Sequence, residues 1–324
     1  MASCCIRLHT DEDALLLTDA LKGTTDAAVE ISEELTPFGA LLAVRELRRF
    51  RAENPQAAIE YAGSDLLGIR AAVSGEAAAP SGSVLPVFRA DLYALHREAL
   101  AHGELLEMGD AIERYSGTLA GTLFPNDAEP RALLTYLLRE LLRNVPEHAG
   151  CGEAWLCARR RGPRVCAAVL DEGRGIRSSL CSNAAHRRNI QTDEDALSWA
   201  VKAGISKAFR PGGRNPSDDP WANSGFGLFM TSRISLSLGG SFRLLSGGRC
   251  LAMESGETRL DKACLSGTAV GLTACMEEIG SSRARIARAA DEGEAEARAL
   301  RAAFRKASLP SRGLMGERAQ RKPD

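Results

Sequence analysis

Apolar and polar positions along the chain fall into three stretches. From residue 26 to 75, strand and helix patterns alternate. AAVEIS (27–32) is a short β-rich run, and GALLAVRELRRFRA (39–52) sets Leu41, Leu42, Val44, Leu47 and Phe50 at helical spacing. AAIEYAG (57–63) reads as a second strand and LLGIRAAV (66–73) as a second helix. The linker GEAAAPSGSVLP (75–86) follows, its Pro, Gly and Ser being turn formers. Leu92, Leu95, Leu100, Leu105, Met108, Ile112 and Leu119 form an irregular apolar stripe that predicts helix over 88–123, ended by Pro125 and Asn126. Helix and strand patterns alternate again over 127–278. The remaining stretch is rich in Ala, Arg and Glu; it starts as a helix and loses periodicity towards its end. The expected class is α/β: a small α/β module (1–84), a helical connector (85–126), a second α/β domain (127–278) and a partly disordered tail (279–324).

Length and composition support that division. A chain of 324 residues suits about two ordinary domains. With 44% hydrophobic and 26% charged residues it is globular in composition. The net charge of −1 and 5% aromatic content leave neither a basic field nor a stacking surface, so nucleic acid is not an expected partner. No apolar run is long enough for a membrane span, and MASCCIRLHTDEDALLL carries acidic residues where a signal peptide is apolar, so a cytoplasmic location is expected. The nine cysteines form no C-x-x-C pair, which argues for small buried thiols over a zinc site. Residues 281–324 hold eleven Lys and Arg against six Asp and Glu, a basic tail that reads as a solvated appendage or a contact for an acidic partner.

Four segments carry candidate chemistry. In LLTYLLRELLRNVPEHAG, residues Glu140, Asn144 and His148 are spaced by four, about 40° apart on a continuous helix, opposite a leucine face. Such a helix either lines a wet pocket or exposes one polar face. In VCAAVLDEGRGIRSS, a buried strand (165–170) ends in Asp171, followed by Gly173, Gly175 and Ile176. Glycines without Cβ let ligand atoms approach the backbone, although D-x-G-x-G alone is often only a turn. In NSGFGLFMTSRISLSLGG, Gly225, Phe226, Gly227 and Leu228 run into a helix whose exposed N–H groups and dipole favour anions. Met230 stands where the dinucleotide fingerprint needs glycine, and no Walker G-K-[ST] occurs. Finally, Ser266-Gly267-Thr268 opens a β-like run in SGTAVGLTA.

In their order and spacing these boxes resemble the GHKL ATP-binding superfamily of gyrase B, the large heat-shock chaperones, histidine kinases and mismatch-repair MutL proteins. Over 127–278 the chain has E-x-x-x-N, D-x-G-x-G, G-x-G-L and a final G-T. ELLRNVPEH is similar to the histidine-kinase and anti-sigma-factor-kinase branch. The resemblance implies a two-layer α/β sandwich of the Bergerat type that binds ATP and Mg²⁺. It implies that Asn144 is the metal ligand and that Glu140 is the catalytic carboxylate acting on water. Asp171 would read adenine, with Gly173, Gly175 and Ile176 near the base and Thr268 completing the contacts. Gly225, Phe226, Gly227 and Leu228 would hold the phosphates. Residues 177–223 would form a lid loop from which Lys202, Lys207, Arg210 or Arg214 reaches the γ-phosphate.

Three departures stand out. Pro146 interrupts the Glu140–His148 helix and is expected to kink it. Phe229 is bulky where a small residue would ease packing, and neither His96 nor His102 begins an H-E-x-x-x-P phospho-acceptor box. The 26–75 pattern also resembles the STAS domain of anti-sigma-factor antagonists. There Pro37 occupies the phospho-acceptor position, so the module would dock partners, with Thr36 serving as a helix cap. The expected activity is regulatory: ATP hydrolysis or phosphorylation of a protein partner such as a sigma factor or response regulator. The alternative is an ATP-dependent binding switch without phosphotransfer. A homodimer is compatible with either.

Overall fold

The computed structural model describes residues 3–103, 107–205, 225–277 and 279–316, with side chains as far as 300. The stripe residue Leu105 and the lid residues Lys207, Arg210 and Arg214 lie outside the described residues.

The chain is mixed α/β with one parallel and one antiparallel sheet. Strands β1 (Ser3–Leu8), β2 (Asp26–Ile31) and β3 (Ile59–Gly63) form the parallel sheet in that order. Helices α1 (Asp11–Ala20), α2 (Pro37–Glu53) and α3 (Ile69–Ser74) accompany them. Thr36 caps α2, its hydroxyl accepting from the N–H groups of Phe38 and Gly39, and Pro37 sits where a missing N–H costs nothing. β1 and α1 precede the stretch in which the sequence pattern begins to alternate.

The second sheet is antiparallel, in the order β4-β5-β6-β8-β7. Its strands are β4 (Val84–Asp91), β5 (Glu153–Arg161), β6 (Arg164–Asp171), β7 (Ser241–Glu254) and β8 (Glu257–Cys275). β4 corrects the expected helix over 88–123. Residues 84–91 pair with β5, and helix occupies only α4 (Leu92–Ala101) and α5 (Met108–Leu123). Asp91 ends the strand and caps α4, its carboxylate accepting from the Ala94 N–H at 2.8 Å. A two-residue turn joins β7 to β8, with Ser255 and Gly256 both at positive φ (51° and 83°), as a tight hairpin requires.

Both faces of this sheet are covered, one by α5, α6 (Ala128–Asn144) and α9 (Gly227–Ser237) and the other by the amino-terminal module. Alternate residues of β6 point to opposite cores. Val165, Ala167 and Val169 pack with α5, α6 and α9. Ala168 and Leu170 pack with Phe38, Leu41 and Val44 of α2. A Cβ at Gly271 would lie 2.8 Å from Phe38, so the strand leaves room for that ring. The strands are apolar on both sides, and a third layer from the amino-terminal module buries the second side.

Two further readings change. Residues 177–223 are not one loop: α7 (Ile176–Cys181) and α8 (Asp193–Ala200) lie within them, with Leu180, Ile190 and Leu197 in the core. Residues 206–224 lie outside the described residues. The carboxy-terminal stretch forms α10 (Ser282–Gly316), and 317–324 lie outside the described residues. No helix among the described residues is long and apolar enough to cross a membrane.

Candidate functional site

A cleft that gathers most of the sequence-predicted residues lies between α6, the end of β6, the start of α9 and β8. It holds about 970 Å³ counted to its open mouth, at the upper end of the range for small-molecule sites. Glu140, Asn144, His148, Asp171, Gly175, Ile176, Gly225, Phe226, Gly227, Leu228 and Thr268 all line it. Of the residues singled out from the sequence, Gly173 lies behind this lining, where a Cβ would meet Ala149 at 2.5 Å.

The α6 wall follows from its spacing. Leu133, Leu134, Leu137, Leu138, Leu141 and Leu142 are buried, which turns Glu140 and Asn144 to the cleft. Pro146 does not end the helical path. Residues 145–149 widen into a π-helical turn, and His148 and Glu147 still face the cleft. A wider turn is one way a helix accommodates a residue that lacks an N–H. Glu140 accepts from Arg139 at 2.6 Å, and Glu147 from Arg143 at 2.9 Å. The side-chain nitrogen of Asn144 is buried with no hydrogen-bond partner among the described residues. A buried amide left so costs about 1–3 kcal/mol, which makes Asn144 a natural anchor for a polar ligand.

The floor is built on Asp171. Its carboxylate is 6% exposed and accepts from the Gly173 N–H at 2.8 Å. Thr268 lies opposite it in the β6–β8 ladder and donates to it from backbone and hydroxyl. Burial pushes the carboxyl up to about 6, and the Gly173 and Thr268 hydrogen bonds only partly offset that rise. Gly267 at φ 109° passes so close to the Asp171 carbonyl that a side chain there would overlap it. Ser246, absent from the sequence-based set, ties the floor together. Its hydroxyl accepts from the Ile176 N–H at 3.0 Å and donates to the Gly267 carbonyl at 2.7 Å. A lone serine in a strand gives no signal; its role arises from pairing across about twenty residues of hairpin.

The third wall is the start of α9. Phe226 is its cap residue and makes no side-chain cap hydrogen bond, so among the described residues no side chain caps the first N–H groups. Gly225 has φ 76°, and a Cβ there would lie 2.6 Å from the Ile205 backbone. A Cβ at Gly227 would lie 3.1 Å from the Glu140 carboxylate and 3.8 Å from the Asn144 amide, so this turn abuts the α6 wall. Phe229 points away from the cleft; a Cβ at Gly293 of α10 would lie 2.7 Å from its ring, so its bulk is accommodated there. Lys202 lies over the Trp199 ring at 5.1 Å and does not line the cleft.

For a cation, the described residues contain no cluster of three His, Cys, Asp or Glu side chains. A hard ion held by Asn144, waters and ligand phosphates is compatible with that donor set, because magnesium is commonly bound with few protein ligands. The chain matches no protein-family model and no curated protein.

Proposed function

We propose that the chain is a Mg-ATP-binding regulatory protein of the GHKL type, with a Bergerat-type fold over 127–278, that hydrolyses ATP or phosphorylates a protein partner. The observation that carries this reading is a convergence. One cleft gathers a desolvated acceptor carboxylate (Asp171), an unpartnered buried amide (Asn144) and an uncapped helix start (Gly225–Leu228). The carboxylate suits an amino-bearing base, and the Asn144 N–H donors and the helix start suit an anionic phosphate chain, while the amide oxygen of Asn144 is a hard ligand of the kind magnesium takes. Asn144 would hold Mg²⁺, which supplies charge neutralisation on the phosphates when bound.

Asp171 accepts the exocyclic amino N–H of adenine, and guanine has a carbonyl at that position. Thr268 holds the carboxylate, while Gly175 and Ile176 leave the backbone close to the base and Gly173 packs behind them on Ala149. Glu140 orients or deprotonates the attacking water. The partner is a regulatory protein such as a sigma factor or response regulator, met in the cytoplasm by a chain that is monomeric or homodimeric. Its amino-terminal module, STAS-like in pattern, is the docking element.

A second reading, an ATP-dependent binding switch, has its own support. Glu140 and Glu147 are both held by neighbouring arginines, which competes with action on a water. Incubation with γ-labelled ATP, following free phosphate and labelled protein, separates the two. Under the enzymatic reading, Glu140→Ala keeps ATP binding and lowers turnover about a hundred- to ten-thousandfold, the scale of a lost general base. Unchanged turnover in that variant removes Glu140 from the mechanism, and ATP binding by the wild type without any turnover favours the switch.

A further inference from the structure

Helix α10 begins as the basic stretch that composition suggests is an appendage, yet its first half is packed behind the cleft. Gly293, Glu296 and Ala297 lie on one helical face, spaced by three and four. A Cβ at Gly293 would lie 2.8 Å from the Phe226 ring, and one at Gly204 would lie 3.3 Å from the Ala297 Cβ. Between these contacts Glu296 makes two polar links. One carboxylate oxygen accepts from the Ala203 N–H at 3.2 Å, and the other pairs with Arg233 of α9 at 3.3 Å. The Glu296 side chain is 30% exposed and its link to the Ala203 N–H is partly buried, while Arg233 is 48% exposed, so the ion pair is the more solvated of the two.

What Glu296 joins are the two segments that meet at the phosphate-facing turn. Ala203 is two residues before Ile205, which lines the cleft and whose backbone fits against Gly225. Arg233 belongs to the helix that Gly227 starts, and Gly227 faces Glu140 and Asn144. We propose that Glu296 is a positioning residue: it clasps residues 203–205 to α9, and so makes the docked α10 a control element for nucleotide affinity at this turn. The affinity part rests on the nucleotide reading above; the clasp itself does not. Any interaction that draws α10 away would loosen both segments together, and ligand binding would in turn favour the docked helix.

The test uses the full chain and compares Glu296→Ala, Glu296→Gln and Glu294→Ala, the last altering an exposed carboxylate on the same helix. Amide hydrogen exchange is followed without ligand, and Mg-ATP binding by calorimetry. Glu296→Ala is expected to speed exchange at 203–205 and 225–228 and to weaken Mg-ATP about tenfold. Glu296→Gln, which keeps an acceptor for the Ala203 N–H, recovers much of the protection, and Glu294→Ala matches wild type. Arg233→Gln, which removes only the ion pair, gives a smaller shift in the same direction and serves if Glu296→Ala does not fold. Wild-type exchange rates in Glu296→Ala, or an equal effect from Glu294→Ala, overturn the proposal. Faster local exchange in a chain that binds no ATP upholds the clasp and overturns the nucleotide reading and the control of affinity.

Discussion

Two buried aspartates, one on each side of the antiparallel sheet, have opposite surroundings. Asp11 is 5% exposed and Asp171 is 6% exposed, and burial raises the carboxyl of each. Asp11 is surrounded by partners. It accepts from the Thr36 hydroxyl at 2.5 Å and the Gly39 N–H at 3.1 Å, and Arg243 of β7 lies 3.4 Å away. Asp171 has two neighbours that donate to it, Gly173 and Thr268, no salt bridge among the described residues, and a cleft in front of it. The first arrangement locks a helix cap to a sheet. The second leaves a carboxylate short of partners at a place a ligand can reach. Burial alone therefore does not mark a functional acid; the lack of a counter-charge beside open space does.

The largest effect is expected at Asp11. Asp11→Ala leaves the Thr36 hydroxyl and the Gly39 N–H short of an acceptor in the seam between module and sheet, and removes one of the two carboxylates that face Arg243, which keeps Glu12. It should destabilise the chain by about 2–3 kcal/mol, the scale for leaving two buried donors without their acceptor, with little direct effect on the cleft. Urea denaturation of the variant measures this. A loss below about 1 kcal/mol would mean that the seam is not held by Asp11.

A smaller effect sharpens the other half. The Asp171 carboxyl sits at about 6 in the folded chain against an ordinary value of 3.8. Because the folded value is raised, its contribution to stability is full below pH 3.8 and is lost as pH rises through about 6. Ligand affinity runs the other way, since only the ionised form is a pure acceptor. Below pH 6 the affinity for ATP should fall by up to about tenfold per unit relative to Asp171→Asn, a comparison that cancels titration of the phosphates. Parallel pH profiles for wild type and Asp171→Asn would separate the carboxylate from binding.

The sequence carried more of the cleft than of the fold around it. Glu140, Asn144 and His148 are legible because helical spacing and a leucine face are local properties, and Asp171 is legible because an acid ends an apolar strand. Pro146 correctly marks a disturbance, but local rules cannot tell a kink from the π turn that keeps His148 at the cleft. β4 is hidden by Pro86 and by the apolar stripe that starts at Leu92, so VLP reads as the end of a linker and FRAD as the start of the helix. Ser246 and Glu296 are invisible for a different reason. Each is defined by groups far away in the chain, and no periodicity encodes such pairings. The docking of α2 on the second sheet face is likewise a matter of complementarity between Phe38 and Gly271, two residues that are unremarkable alone.

The proposed function turns on adenine recognition by the carboxylate beside the open cleft. Calorimetric titration of the full chain with ATP and with GTP in the presence of magnesium, for wild type and Asp171→Asn, tests it most directly. Wild type is expected to prefer ATP, and Asp171→Asn to lose about 1.5–3 kcal/mol of ATP affinity, roughly ten- to a hundredfold in Kd, while its weak GTP binding barely changes. Equal affinity for the two nucleotides in wild type, or an ATP affinity unchanged by Asp171→Asn, would contradict it.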